Sequence, residues 1–356
     1  MRNFNINNLV RENIKTLKPY SSARDEYDKW SSDMVFLDAN ENPFENGVNR
    51  YPDPQQIVVK TKLSEIKNIP IENMLLGNGS DEVLDLIFRV FCEPNNDNIM
   101  TLPPTYGMYE VLAQTNAIEV QKIQLDQSFQ PRVQNILDAA NPFTKLLFLC
   151  SPNNPTANSF EAKIVEQLLH NFNGIVVIDE AYIDFSNAES WLSRLDEFPN
   201  LIVTQTLSKA YGMAGIRLGI CYASVGIISM LNRIKPPYNV NELSQQKAFE
   251  RLRNESEISQ EIQGILEQRD LLSNQLETID FIEKVYVSDA NFILAKVDDA
   301  NKRYQQLIKK GIVVRNRTTQ PLCKDCLRFT VGTITENERL INTIKDIQTW
   351  ERKYSL

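Results

Sequence analysis

Three short runs, apolar at nearly every position, constrain this chain most: Lys145-Leu-Leu-Phe-Leu-Cys150, Gly174-Ile-Val-Val-Ile-Asp179 and Leu201-Ile-Val-Thr-Gln205. Alternating polarity would mark strands wet on one face, whereas continuous runs mark strands covered on both. A helical stretch, Glu161 to Phe172, separates the first two. Strand, helix and strand in succession predict right-handed crossovers and a mostly parallel sheet between helical layers, an α/β fold. Each run ends in polar residues: Ser151-Pro-Asn-Asn-Pro155, Asp179-Glu-Ala-Tyr182 and Thr206-Leu-Ser-Lys209. Ligands of open α/β sheets bind beyond the carboxyl ends of strands. Three polar clusters there mark one candidate site.

The third cluster places Lys209 on a loop before a further strand-like run, Ile216 to Ala223. A solvated lysine is out of place between buried elements. Low dielectric and a nearby cation such as Arg217 both disfavour the ammonium and lower its pKa. A lysine that forms a Schiff base needs that shift. A loop lysine beside a structural arginine explains the stretch equally well on local grounds.

Upstream, Met74 to Phe91 passes from a strand through Gly77-Asn-Gly79 into a helix, with Val83, Leu84, Leu86, Ile87, Val90 and Phe91 at helical spacing. Ser80 is the expected N-cap, with acids in the first turn. The two glycines let backbone N–H groups converge at the helix start, which suits an anion. The pattern is not a P-loop, and Glu82 stands where a dinucleotide fingerprint needs its third glycine. A capped helix without a ligand is the plain alternative.

Composition narrows the function. The net charge of −8 over 356 residues argues against a nucleic-acid partner. No apolar run reaches the length of a membrane helix, and the polar, Asn-rich start does not resemble a signal peptide. Five cysteines predict no disulfide framework and a reducing cytoplasm. Cys323-Lys-Asp-Cys326 lacks the further ligands of a zinc site, and His170, the sole histidine, falls in a surface-helix pattern. Histidine-based nucleophilic and metallohydrolase chemistry is thereby largely excluded.

Organisation follows from the change of pattern at Pro236-Pro237. Residues 1–35 form an N-terminal arm expected to pack with the small domain. Val35 to Asp38 reads as a short strand entering a turn. Residues 36–238 form the large α/β domain. Residues 239–356 form a smaller α+β domain, with a long, charged, helix-favouring stretch over Glu242 to about Glu277, strands at 285–287, 292–297, 312–315 and 327–331, and a terminal amphipathic helix.

Taken together, Pro103-Pro-Thr-Tyr-Gly-Met-Tyr109, Cys150-Ser-Pro-Asn-Asn-Pro-Thr156, Asp179-Glu-Ala-Tyr182, Thr206-Leu-Ser-Lys209 and Leu327-Arg-Phe-Thr-Val-Gly-Thr333 resemble the fold-type I pyridoxal-phosphate (PLP) aminotransferases. Within them they are most similar to the histidinol-phosphate branch. The resemblance runs from about Tyr20 to Thr333. It implies a PLP cofactor, a mostly parallel sheet in an αβα sandwich with a smaller α+β domain, and transamination of histidinol phosphate with 2-oxoglutarate in histidine biosynthesis.

The resemblance also implies roles. Lys209 anchors the cofactor and shuttles a proton. Asp179 pairs with the pyridine nitrogen, and Tyr182 and Asn154 reach the phenolic oxygen. Arg217, Ser208, Thr206 and the backbone at Gly79, Ser80 and Asp81 hold the phosphate, while Tyr106 stacks on the ring. Tyr51 reaches the neighbouring subunit's cofactor, which implies a homodimer. Arg328 grips a carboxylate, and Arg315, Tyr20 and Asn291 lie near the substrate's anionic group.

One departure stands out: Ala157 occupies the place of the family's glycine after Asn154-Pro-Thr156. Alanine disfavours positive φ, so a local backbone adjustment is expected. Two rival enzymes are an aromatic amino-acid aminotransferase and a PLP decarboxylase of a phosphorylated amino acid. A rival from another class is a nucleotide-binding regulatory protein that uses Gly77-Asn-Gly79.

Overall fold

The computed structural model describes residues 4–19 and 34–354, so Tyr20 lies outside the described residues. In chain order the first elements are α1 (Glu12–Thr16), α2 (Ile57–Lys67), β1 (Met74–Asn78), α3 (Ser80–Phe91), β2 (Asn98–Thr101), α4 (Met108–Thr115) and β3 (Glu119–Lys122). Next come α5 (Val133–Ala139), β4 (Thr144–Cys150), α6 (Ala162–Asn171), β5 (Ile175–Asp179), β6 (Leu201–Thr206), β7 (Leu218–Ala223) and α7 (Val225–Asn232). The remainder is α8 (Glu242–Leu252), α9 (Glu255–Glu277), β8 (Ile282–Val285), β9 (Phe292–Val297), α10 (Ala300–Lys309), β10 (Arg315–Asn316), β11 (Cys326–Thr330) and α11 (Ile334–Tyr354).

Strands β1 to β7 form one sheet in the order β1-β7-β6-β5-β4-β2-β3. Its members run parallel except β7, which is antiparallel to both β1 and β6. The apolar runs explain the layering. Ile175 and Val177 of β5 point into one core with Leu146, Phe148 and Ile202, while Val176 and Ile178 point into the other with Leu147, Leu149 and Val203. A side-chain period of two thus buries both faces under helices. Helix α3 supplies Val83, Leu84, Ile87 and Phe91 to the first core, fully buried.

Strands β8 to β11 form a second, antiparallel sheet, β10-β11-β9-β8. The second core of the large sheet continues into it through Phe292, Leu294, Cys323 and Cys326. This shared core sets β9 and β11 against the segments that follow β4 and β5, where Arg328 donates to Asn154 and Phe292 packs on Tyr182.

Several expectations are corrected. The described part of the arm packs on the large sheet's helices, not on the small domain. Val10 and Ile14 join the core of α3 and α7, Arg11 pairs with Glu93, and Arg233 donates to the Ile14 and Lys15 carbonyls. Among the described residues Val35 to Asp38 does not pair as a strand, and Val35 and Leu37 are 81% and 89% exposed. The stretch from Glu242 to Glu277 is two helices, broken at Arg253 and Asn254, and Glu255 and Glu257 in the first turn of α9 favour a new helix start there. The strand expected at 285–287 lies at Ile282–Val285, and that expected at 312–315 begins only at Arg315.

Candidate active site

The anion-binding candidate begins at the β1–α3 turn. Gly79, not Ser80, is the N-cap, with φ +82°, a conformation that glycine adopts without strain. Gly79 offers no capping side chain, and among the described residues the first-turn N–H groups at Ser80 and Asp81 have no side-chain partner. A Cβ on Gly79 would lie 2.6 Å from Arg217 Nη2, so the guanidinium rests directly on this turn. Gly219 of β7 lies equally close from below: a Cβ there would come within 2.3 Å of the Ser80 nitrogen. Arg217 Nη2 is 3.7 Å from Asp81 Oδ2, and the Tyr106 hydroxyl donates to Asp81 Oδ1 at 3.3 Å. Thr206, expected among the phosphate holders, ends β6 opposite Gly219. Its hydroxyl donates to the Leu218 carbonyl (3.3 Å) and accepts from Ser208 N–H (3.1 Å), which closes the turn before Lys209.

Asp179 ends β5 and is 4% exposed. Its Oδ2 accepts from the Tyr109 hydroxyl at 2.8 Å and its Oδ1 from Ala181 N–H at 3.1 Å. Burial raises its pKa, and the Tyr109 and Ala181 hydrogen bonds and the Lys209 charge oppose that rise. Among the described residues no cation pairs with this carboxylate. A buried anion of this kind calls for a cationic partner.

The Lys209 side chain is exposed toward the cleft, unlike the buried surroundings expected, although Leu207 and Ala210 beside it are buried. Its amine lies 5.8 Å from the Tyr182 ring centroid. Partial burial and then Arg328 lower its pKa, with Asp179 opposing. Tyr182 meets Phe292 of β9 edge to face at 5.1 Å, and the Arg328 guanidinium lies 4.9 Å over the same Phe292 ring. Arg328 donates to Asn154 Oδ1. Neighbouring Asn153 is wholly buried and bonded to Pro104, Thr156 and Thr105, so it holds the loop while Asn154 faces the site. Ala157 keeps φ +68° with no compensating adjustment and is fully buried.

The structure therefore brings together Gly79, Ser80, Asp81, Tyr106, Asn154, Asp179, Tyr182, Thr206, Ser208, Lys209, Arg217 and Arg328. Arg315 joins through its Cα pairing with Arg328. Asn291 accepts from Val331 N–H at 2.9 Å through its carbonyl, and no side-chain bond among the described residues ties it to Arg315. Tyr51 stacks on Tyr238 at 4.5 Å, half exposed, with no hydrogen bond to the group around Lys209 among the described residues. Cys323 and Cys326 are buried free thiols, and His170 lies on α6 near Glu166. The described residues hold no metal-binding cluster of His, Cys, Asp or Glu. Sequence reasoning missed Tyr109, Gly219 and Arg317. Tyr109 ends the Pro-Pro-Thr-Tyr-Gly-Met-Tyr run, but only the fold shows which of its tyrosines reaches Asp179.

These residues fit PLP. The unpaired Asp179 carboxylate suits a protonated pyridine nitrogen. The uncapped start of α3 with Arg217 suits a phosphate. Lys209 between them suits an aldehyde.

Residues 28–344 match the family described as aminotransferase class I and II. The histidinol-phosphate aminotransferase of Flavobacterium johnsoniae is 65% identical over 97% of this chain and 99% of its own. The crystal structure of the Clostridium acetobutylicum histidinol-phosphate aminotransferase superposes with a TM-score of 0.78 at 22% identity, covering 85% of this chain and 91% of its own. That of Sinorhizobium meliloti, in complex with pyridoxal-5'-phosphate, gives 0.77 at 20% identity, covering 84% and 83%. At such identities the two structures speak for the fold, whereas the sequence matches extend over nearly the whole chain. The chain belongs to the aminotransferase class I and II family, among the histidinol-phosphate aminotransferases.

Proposed function

We propose that this chain transfers the amino group of L-histidinol phosphate to 2-oxoglutarate, giving imidazole-acetol phosphate and L-glutamate, in histidine biosynthesis in the cytoplasm. The observation that carries the reading is the buried Asp179 carboxylate, unpaired among the described residues, across the cleft floor from Lys209 and Arg217. PLP, when bound, supplies the carbonyl that accepts the amino group and the ring that delocalises the electron pair released at Cα. Asp179 holds a proton on the ring nitrogen, and its hydrogen bond from Tyr109 keeps the carboxylate charged and oriented. Tyr182 and Asn154 hydrogen-bond the ring's phenolic oxygen, and Tyr106 covers one face. Arg217, Ser208 and the start of α3 hold the phosphate, with Thr206 shaping their turn.

Lys209 Nζ removes the proton from the donor's Cα. Its lowered pKa increases the neutral fraction that can do so. Arg328 and Arg315, with Tyr20 and Asn291, take the anionic end of either donor: the phosphate of histidinol phosphate or the α-carboxylate of glutamate, which stands at the same place on Cα. The chain acts as a homodimer in which Tyr51 reaches the partner's cofactor phosphate. Val35, Leu37 and Phe44, 79% to 89% exposed and apolar, suit the buried interface such a dimer needs.

The test compares histidinol phosphate, phenylalanine and O-phosphothreonine as substrates, with 2-oxoglutarate as acceptor, after borohydride fixation has been mapped on the yellow protein. Transamination of histidinol phosphate, with label on Lys209, is expected. Turnover restricted to phenylalanine, or carbon dioxide release from phosphothreonine, overturns the substrate. A colourless, unlabelled protein overturns the site.

A further inference from the structure

Arg317 has no role in the account above. It directly follows β10, and its backbone N–H donates to the Cys326 carbonyl at 2.8 Å, which lays it alongside β11. Arg315 and Arg328 are Cα partners across the same strand pair. Three guanidinium-bearing residues therefore meet at one end of the second sheet. Arg317 and Arg328 both lie close enough to Tyr182 to act electrostatically on its hydroxyl, so the cluster borders the cleft that Lys209 enters.

No acid compensates the cluster among the described residues. The Nε atoms of Arg317 and Arg328 are buried without a hydrogen-bond partner. Burial and then Arg317 bring the Arg328 pKa down to about 10, while burial and then Arg315 lower that of Arg317. The buried group that acts most strongly on Arg317 to favour its charge is Cys323, a thiol and not a carboxylate. Half-buried like charges without counterions are costly, and an anion relieves the cost. Two guanidiniums suffice for a carboxylate, with one negative charge and two oxygens. A phosphate monoester carries nearly two charges and three acceptor oxygens, which a third guanidinium serves.

We propose that Arg317 is a specificity-determining residue of the substrate subsite, adding a third guanidinium to Arg315 and Arg328 and biasing it toward a phosphate monoester over a carboxylate. This rests on the substrate reading above. The test uses the holoenzyme with Arg317→Gln and Arg317→Lys. Three quantities are compared with the unmodified enzyme: kcat/KM for histidinol phosphate, kcat/KM for glutamate, and the Tm rise caused by inorganic phosphate.

For Arg317→Gln, the ratio of histidinol-phosphate to glutamate kcat/KM is expected to fall about 10- to 100-fold, chiefly through KM. Arg317→Lys recovers part of it. Without phosphate, Tm holds or rises, because no pairing is lost, and the phosphate-induced rise shrinks. An unchanged ratio, or equal losses for both donors with a lowered Tm, overturns the proposal and makes Arg317 structural. If the unmodified enzyme does not turn over histidinol phosphate, the substrate reading fails. The phosphate-induced Tm rise then decides the anion role of Arg317 alone: a rise lost in Arg317→Gln sustains it, and one unaffected overturns it.

Discussion

The Tyr109 hydroxyl donates to Asp179 Oδ2 at 2.8 Å, joining the start of α4 to the end of β5 inside the core. Tyr109 also stacks on Phe148 at 4.8 Å, so its ring has little freedom to leave the carboxylate. That hydrogen bond opposes the rise in the Asp179 pKa that burial causes. Tyr109→Phe keeps the stacking, removes the bond and is expected to weaken cofactor binding about tenfold or more, read by spectroscopic titration. Asp179→Asn abolishes most activity, yet its cofactor-free form is expected to be more stable by about 1 kcal/mol near neutral pH. The sign follows from linkage. A carboxyl whose folded pKa is raised binds more protons folded than unfolded, so the wild-type apoprotein loses stability as pH climbs from the unfolded pKa to the folded one. The Asn variant lacks that loss, and denaturant melts at several pH values check it.

After burial, the Arg328 charge is the largest of the causes that lower the Lys209 pKa. Chemistry that needs the neutral amine rises with pH through that pKa. Arg328→Gln removes the charge, so the rising limb of the kcat–pH profile is expected to move to higher pH. The same variant raises KM for glutamate. A limb that stays in place would show that Lys209 does not set it.

Gly219 leaves no room for a side chain, with the Ser80 nitrogen 2.3 Å and the Gly79 carbonyl carbon 2.5 Å from a Cβ. Both neighbours are backbone, so Gly219→Ala must push the start of α3 away from β7. An expected loss of about 1–3 kcal/mol in stability, with weakened PLP binding, is measured by urea denaturation and equilibrium dialysis.

Ala157 combines a positive φ of +68° with complete burial. The left-handed conformation costs about 1–2 kcal/mol. Glycine there would relieve it but lose the buried methyl, worth about 0.8 kcal/mol, and restore about 0.4–1 kcal/mol of unfolded-chain entropy. These terms nearly cancel, so Ala157→Gly is expected to change stability by less than about 1 kcal/mol. Ala157→Val, β-branched and overpacked, should cost about 2 kcal/mol or more. Chemical denaturation of both variants distinguishes the two.

Leu37 and Phe44 are 89% and 79% exposed on the segment that leads to Tyr51. Leu37→Asp with Phe44→Asp is expected to shift the protein from dimer to monomer in analytical ultracentrifugation and to lower PLP affinity by removing the partner's Tyr51. A monomer in the unmodified protein would rule out the shared site.

Much of the site was legible because it follows strand ends. Asp179 and Lys209 stand directly after runs whose burial is dictated by composition, and the sheet then aligns those ends. Residues that act across the fold were not legible. Tyr109 and Tyr106 are both tyrosines of one short run, and only the T-shaped packing between them, at 5.5 Å, turns one toward Asp179 and the other toward Asp81. Asn153 and Asn154 are likewise alike in sequence, yet one is sealed in the core and the other meets Arg328. Arg317 carried no motif, and its neighbours Arg328 and Tyr182 are set by β11 and β5.

The sequence by itself determined the layered α/β sheet, the polar strand ends and the candidate lysine, because local patterning decides which faces are buried. It also determined the departure at Ala157. Tertiary structure alone decided that the described part of the arm lies on α3 and α7, that Gly79 rather than Ser80 stands at the N-cap of α3, and that Ala157 keeps its left-handed backbone. It also set three arginines around one cleft. Each of these depends on contacts between residues far apart in the chain, where the energy of packing and charge outweighs local preference.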